Sequence, residues 1–150
     1  MRPGAPPDRV PTGDYAWPTP GWPRVGRPYQ LPQTAYGAGH RGVDLLAAAG
    51  TAVLAAGAGT VVFAGELAGR GVVSVQHPDG LRTTYEPVTA AVAVGGRVQR
   101  GDVLGTVEPG HPGCPAPSCL HWGVRRGADT YLDPLRLVGR WEVRLLPWPG

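Results

Sequence analysis

Gly71-Val72-Val73-Ser74-Val75-Gln76-His77-Pro78-Asp79-Gly80-Leu81-Arg82-Thr83-Thr84-Tyr85-Glu86 is two β-prone runs joined by a turn. Proline presets φ in His77-Pro78-Asp79-Gly80, and glycine accepts the positive φ that closes such a turn. The flanking runs alternate and are rich in β-branched residues, so they predict an antiparallel hairpin. Working outward, short β-prone runs continue to alternate with glycine turns at Gly57-Ala58-Gly59, Gly69-Arg70-Gly71 and Gly95-Gly96. The predicted strands are Gly42–Leu46, Ala52–Ala55, Gly59–Ala64, Gly71–His77, Leu81–Glu86, Ala91–Val94, Asp102–Val107 and Leu120–Arg125. No segment sustains a helical period. Many short strands at even spacing predict an all-β sandwich or barrel.

The 150 residues suit one domain with a real core. Residues 1–16 are read as a disordered start. Residues 17–35 are Pro-rich and read as an extended segment that lays Trp17 and Trp22 on the domain, since proline removes donors and disfavours helix. The domain proper is placed at 36–138, with a tail at 139–150. No apolar run is long enough to span a bilayer, and Met1-Arg2-Pro3-Gly4-Ala5-Pro6-Pro7 lacks the apolar stretch of a signal peptide. The net charge is +3 and every basic residue is arginine. The arginines are scattered rather than striped, which argues against a nucleic-acid partner. Arg125 and Arg126 read as solvated.

Two phrases resemble each other. Gly50-Thr51-Ala52-Val53-Leu54-Ala55 leads into Gly59-Thr60-Val61-Val62, and Val94-Gly95-Gly96-Arg97-Val98-Gln99-Arg100 leads into Gly101-Asp102-Val103-Leu104-Gly105. The second pattern is similar to that of barrel-sandwich folds, lipoyl and biotinyl carriers among them. Those carriers require a modified lysine, and this sequence has none. The fold signal stands and the carrier function is excluded.

The chemistry-bearing residues are His40 and Asp44 in His40-Arg41-Gly42-Val43-Asp44, and His121 in Cys119-Leu120-His121-Trp122. Two imidazoles and a carboxylate can hold a zinc ion with one coordination position open, the arrangement of catalytic zinc sites. Taken singly, each has a plainer reading: His40 as a satisfied polar residue, Asp44 as a turn or cap, His121 as a hydrogen-bonded strand histidine.

Together with Gly59-Thr60-Val61-Val62-Phe63-Ala64-Gly65, Val73-Ser74-Val75-Gln76-His77, Thr84-Tyr85, Leu120-His121-Trp122-Gly123-Val124-Arg125 and Asp133-Pro134-Leu135, these residues resemble the lysostaphin/LytM-type zinc metallopeptidases. The resemblance covers roughly residues 35 to 137. It implies an antiparallel barrel-sandwich, of the duplicated-hybrid-motif kind, with a groove over a metal site. It also implies a Zn2+ cofactor held by His40, Asp44 and His121, and peptidoglycan peptide as substrate. The expected location is outside the cell or in the cell envelope, although this chain shows no export signal. His77 corresponds to a histidine that the family keeps without using it as a ligand, so a structural role is expected. His111 is expected to be exposed.

The chain departs from the family at two positions. The family uses a histidine in Tyr-x-His and the first histidine of His-x-His to position the attacking water and move its proton. Here those motifs read Tyr85-Glu86-Pro87 and Cys119-Leu120-His121. Glu86 is the neighbouring carboxylate that can act as a base. Strand alternation nevertheless sets it away from the side shared by Tyr85 and Pro87, unless a bulge turns it inward. Tyr85 is expected to line the groove or pack, and Trp122 to be core. Cys119 has three readings: a disulfide with Cys114, a free thiol acting as a weak acid–base group, or a fourth zinc ligand that closes the site. Two functions follow. One is a zinc endopeptidase of peptidoglycan. The other is a degenerate relative that keeps the zinc site, binds peptidoglycan and regulates a partner hydrolase.

Overall fold

A computed structural model describes residues 14–30, 40–109 and 118–138. The expectations for residues 1–13, 31–39 and 139–150, and for His111 and Cys114, lie outside the described residues.

The hairpin forms where the turn chemistry places it. Strands β5 (Arg70–Gln76) and β6 (Leu81–Glu86) pair antiparallel, with Val73 opposite Tyr85 and Val75 opposite Thr83. Gly80 has φ 92°, and Asp79 Oδ1 accepts the Leu81 N–H at 3.0 Å. Around this hairpin lie β1 (Val25–Arg27), β2 (Val43–Leu46), β3 (Ala52–Leu54), β4 (Gly59–Leu67), β7 (Val88–Ala90), β8 (Arg97–Val98), β9 (Val103–Val107), β10 (Cys119–Arg126) and β11 (Thr130–Leu132). A 3-10 turn follows at Pro134–Leu137, where Asp133 Oδ1 caps the Leu135 N–H at 3.0 Å.

The large sheet runs β1-β2-β10-β6-β5-β4-β8, with β11 paired to β10; the small sheet runs β3-β9-β7. Their pairings are antiparallel. One apolar cluster joins the sheets: Val43, Leu45, Val73, Val75, Tyr85, Leu120 and Trp122 from the large sheet meet Val53, Leu104 and Val107 from the small one.

The expected strand Ala91–Val94 is not formed. The strand in that region is β7, three residues earlier, and Ala91–Val94 leads into the turn at Gly95, which has φ 92°. Pro87 accounts for the shift. It has no N–H for the β6 ladder, so pairing in the large sheet ends at Glu86 and the chain enters the small sheet at Val88. Order also begins before residue 17. Tyr15 is buried, donates to Asp79 Oδ2 at 2.6 Å and stands edge-on to His77. Trp17 packs 6.0 Å from Trp122, whereas Trp22 is 65% exposed and does not join the core.

His77 is held in a satisfied buried network. Its Nδ1 donates to Ala58 O at 2.8 Å, and its Nε2 accepts from the Thr83 hydroxyl at 2.8 Å. The Tyr85 hydroxyl donates to Thr83 Oγ1 at 2.7 Å and accepts the Ala56 N–H at 2.9 Å. Burial pushes the Tyr85 phenol up to about 12 and the His77 imidazole below its ordinary 6.5. The folded state thus binds the His77 proton less readily than the unfolded chain does. Its contribution is complete above pH 6.5 and is lost as pH falls through the lower folded value. In chelator-treated protein, the melting temperature of His77→Gln should fall less steeply than wild type between about pH 7 and pH 5. Its stability at neutral pH should be lower by about 1–3 kcal/mol, because buried partners lose a bond. Parallel pH slopes would refute the assignment.

Candidate metal centre

His40, Asp44 and His121 come from three points of the chain and meet at the β2/β10 edge. Asp44 on β2 is the cross-strand partner of His121 on β10, and His40 precedes β2 by one turn of chain. Their candidate ligand atoms all lie within 4.8 Å of one another. Asp44 Oδ1 stands 2.8 Å from His121 Nδ1 and 3.2 Å from His40 Nε2, with Asp44 1% exposed.

The donor set fits a divalent metal. His40 Nδ1 donates to the Pro28 carbonyl at 2.9 Å, which leaves Nε2 as the acceptor nitrogen of the neutral ring. That lone pair faces a carboxylate oxygen, and two acceptors at this distance repel unless a cation or proton lies between them. An imidazole oriented by a backbone carbonyl through its other nitrogen is the usual support of a metal-ligating histidine. Pro28 belongs to the amino-terminal segment, which Gln30 and His40 clip in place by two backbone hydrogen bonds of 2.7 and 2.8 Å.

Gly42 is required by close approach. A Cβ there would sit 2.6 Å from His121 Nε2 and 2.6 Å from the Trp122 carbonyl. The Nε2–Cε1 edge of the imidazole thus lies close against the backbone of the metal-site turn, with Nδ1 toward Asp44. Gly42→Ala should cost about 1–3 kcal/mol of stability by overpacking. It should also weaken zinc binding at least about tenfold by displacing an oriented ligand, as a zinc titration would read.

β10 and β6 pair with His121 opposite Glu86, Gly123 opposite Thr84, and Arg125 opposite Arg82. Side chains on one sheet face recur every second residue. His121, Glu86, Thr84, Arg82 and Arg125 accordingly line one cleft of about 260 Å³, rimmed by Arg41 and Tyr131. Several expectations are corrected by this register. Tyr85, expected to line the groove or pack, does not line it: it lies fully buried on the other face with its hydroxyl engaged by Ala56 and Thr83. Glu86 does face away from Tyr85, but the metal site is on Glu86's side. Its Oε1 pairs with Arg70 at 3.4 Å. Arg125, read as solvated, lines the cleft and has a buried Nε. Cys119 is fully buried and disulfide-bonded, so it is neither an acid–base thiol nor a fourth ligand. The sequence holds one other cysteine, Cys114. Trp122 is core, as expected.

The sequence profile of the family described as peptidase family M23 matches residues 38–134, a span that carries all three candidate ligands. The chain belongs to peptidase family M23. An uncharacterized protein of Mycobacterium tuberculosis (strain H37Rv) is 48% identical over 147 residues, which cover 96% of this chain and 59% of that protein. The uncharacterized lipoprotein YgeR of Escherichia coli is 34% identical over 131 residues, covering 85% of this chain and 49% of the relative. The chain therefore spans roughly half to three-fifths of the length of these relatives. Among solved structures, the catalytic domain of the antimicrobial peptidase lysostaphin from Staphylococcus simulans superposes with a TM-score of 0.64 at 26% identity, covering 75% of this chain and 90% of that one. The SpoIIIAH–SpoIIQ complex matches with a TM-score of 0.68 at 23% identity, covering 81% and 97%, a likeness of fold alone. The nearly all-β antiparallel architecture is thus that of M23 peptidases.

Proposed function

We propose that this chain is a zinc metallopeptidase domain that acts on the peptide part of bacterial peptidoglycan, at the cell envelope. The carrying observation is the trio itself: three candidate ligands within 4.8 Å, with the His40 ring already oriented by Pro28. His40 Nε2, a carboxylate oxygen of Asp44 and His121 Nδ1 would hold the ion. Bound there, zinc supplies Lewis-acid polarisation of the scissile carbonyl and a more acidic water. The protein's own acid–base work falls to Glu86. It is the carboxylate in register with His121 and on the same cleft wall. It takes the proton of the attacking water, and passes it to the amine released when the peptide C–N bond breaks. Arg70 holds that carboxylate at the wall. A disulfide at Cys119 suits an oxidising compartment, and no described helix is long and apolar enough to cross a membrane.

Pro87 and the disulfide at Cys119 favour a second reading, because they stand where the family places its two proton-moving histidines and neither can move a proton. In that reading the domain keeps zinc, binds peptidoglycan and regulates a partner hydrolase. Peptidoglycan digestion by purified, zinc-loaded protein decides between them, with His40→Ala as control. Peptide release by wild type alone refutes the binding module; tight zinc and wall binding without release refutes the peptidase.

A further inference from the structure

The far end of the metal-site cleft carries charge that hydrolysis does not use. Arg82 and Arg125 are direct cross-strand partners in the β6/β10 register, and both side chains line the cleft. Like charges placed opposite one another destabilise a sheet. Arg82 Nε is occupied by Gln76 Oε1 at 2.9 Å, while Arg125 Nε is buried with no hydrogen-bond partner among the described residues. At the rim, Arg41 lies 4.8 Å over the Tyr131 ring, which keeps a third guanidinium at the mouth. Tyr131 is itself braced, its carbonyl accepting the Tyr29 hydroxyl at 3.2 Å. Among the described residues, the single acid of the cleft lining, Glu86, stands at the opposite end beside His121 and already pairs with Arg70. Between the two ends, Gly123 stands opposite Thr84 and adds no side chain to the cleft lining.

We propose that this arginine pair is a carboxylate subsite, which makes the domain a reader of acidic peptides. This deepens the peptidase reading, on which it rests for the nature of the ligand. A guanidinium pair in a partly dry cleft suits a planar carboxylate, which accepts two parallel N–H donors and relieves the Arg82–Arg125 repulsion. The register also sets a distance. Arg125 lies four residues beyond His121 on β10, about 13 Å at about 3.3 Å per residue. An extended peptide that runs along the strand therefore offers its acidic residue about four positions from the bond at the metal. The cleft volume of about 260 Å³ is short of the roughly 300 Å³ at which pockets for whole small ligands begin, and suits one or two residues of a longer chain.

Calorimetric binding of two probes tests the subsite apart from activity. One is an N-acetylated, C-amidated alanine hexapeptide with a single glutamate; the other carries glutamine at that position. Wild-type protein should bind the glutamyl peptide at least about tenfold more tightly, with the preference shrinking as salt rises. Arg125→Gln and Arg82→Gln should each abolish the preference, Arg82→Lys should keep part of it, and Arg97→Gln, outside the cleft, should leave it unchanged. Thermal melts establish that the variants fold, and His40→Ala should retain the preference. Equal affinity for both peptides, no binding of either, or a preference that survives both glutamine variants overturns the proposal. A glutamyl preference without peptidoglycan cleavage leaves the subsite standing and refutes only the peptidase.

Discussion

Asp44→Ala should abolish tight zinc binding and, with it, any hydrolysis. Asp44 Oδ1 lies 2.8 Å from His121 Nδ1 and 3.2 Å from His40 Nε2, so one carboxylate oxygen faces both imidazoles. It is also the only anion of the set, so its loss removes both a ligand and the charge that offsets a divalent cation. Removing a group that merely orients a ligand typically costs 10–100-fold in affinity. Removing the central ligand should cost more than about a hundredfold. Linkage provides a readout independent of activity. Zinc at 100 times its dissociation constant stabilises a folded protein by about 2.7 kcal/mol, since it binds the native state and not the unfolded one. Wild-type protein should therefore melt several degrees higher with zinc than with chelator, and Asp44→Ala should melt at the same temperature in both. The metal-free comparison separates this from simple damage: the two proteins should differ far less in chelator, where the wild-type carboxylate has no cation to hold. A zinc-dependent rise in the melting temperature of Asp44→Ala equal to that of wild type would overturn the assignment of the trio.

How much of this was legible in the sequence depends on how local each signal is. The β5/β6 hairpin is legible because Pro78, Asp79 and Gly80 carry the turn chemistry within four residues. The end of β6 was legible too, since Pro87 marks where the ladder must stop, yet the following strand was expected at Ala91–Val94 rather than Val88–Ala90. His40 and Asp44 are separated by four residues, and their chemistry is written in their side chains. Pro28 is not legible as a site residue, because what it contributes is a backbone carbonyl, which every residue has. The alternation of Tyr85 and Glu86 is legible, but not which of them faces the metal. That depends on β10 pairing with β6 in one register, a contact between segments some 35 residues apart. Arg125 shows the same limit from the other side. The sequence reads it as solvated, and only the pairing with Arg82 puts it on the cleft wall.

Glu86→Gln should leave the zinc site intact and remove catalysis. The substitution keeps the side chain's size and its place opposite His121, and leaves Asp44, His40 and His121 untouched. It removes the one carboxylate that lines the cleft among the described residues. A positioned acid–base group contributes about 10²–10⁴-fold, equivalent to about 3–5 kcal/mol of barrier. With Pro87 and the Cys119 disulfide at the two family positions, and no other proton acceptor than Glu86 and the ligand His121 lining the cleft among the described residues, the fall should lie toward the upper end. The effect should appear in kcat, while zinc stoichiometry and peptide affinity stay near wild type. Arg70→Gln gives the companion test. Arg70 contacts Glu86 at 3.4 Å and holds its carboxylate at the cleft wall. Its removal should lower kcat by loosening that carboxylate while zinc stoichiometry stays near wild type, as peptide release and a zinc titration on one preparation would read. Peptide release by Glu86→Gln at the wild-type rate would assign the proton transfer elsewhere, and with it would fall the view that this chain replaces two histidines by one glutamate across the strand from His121.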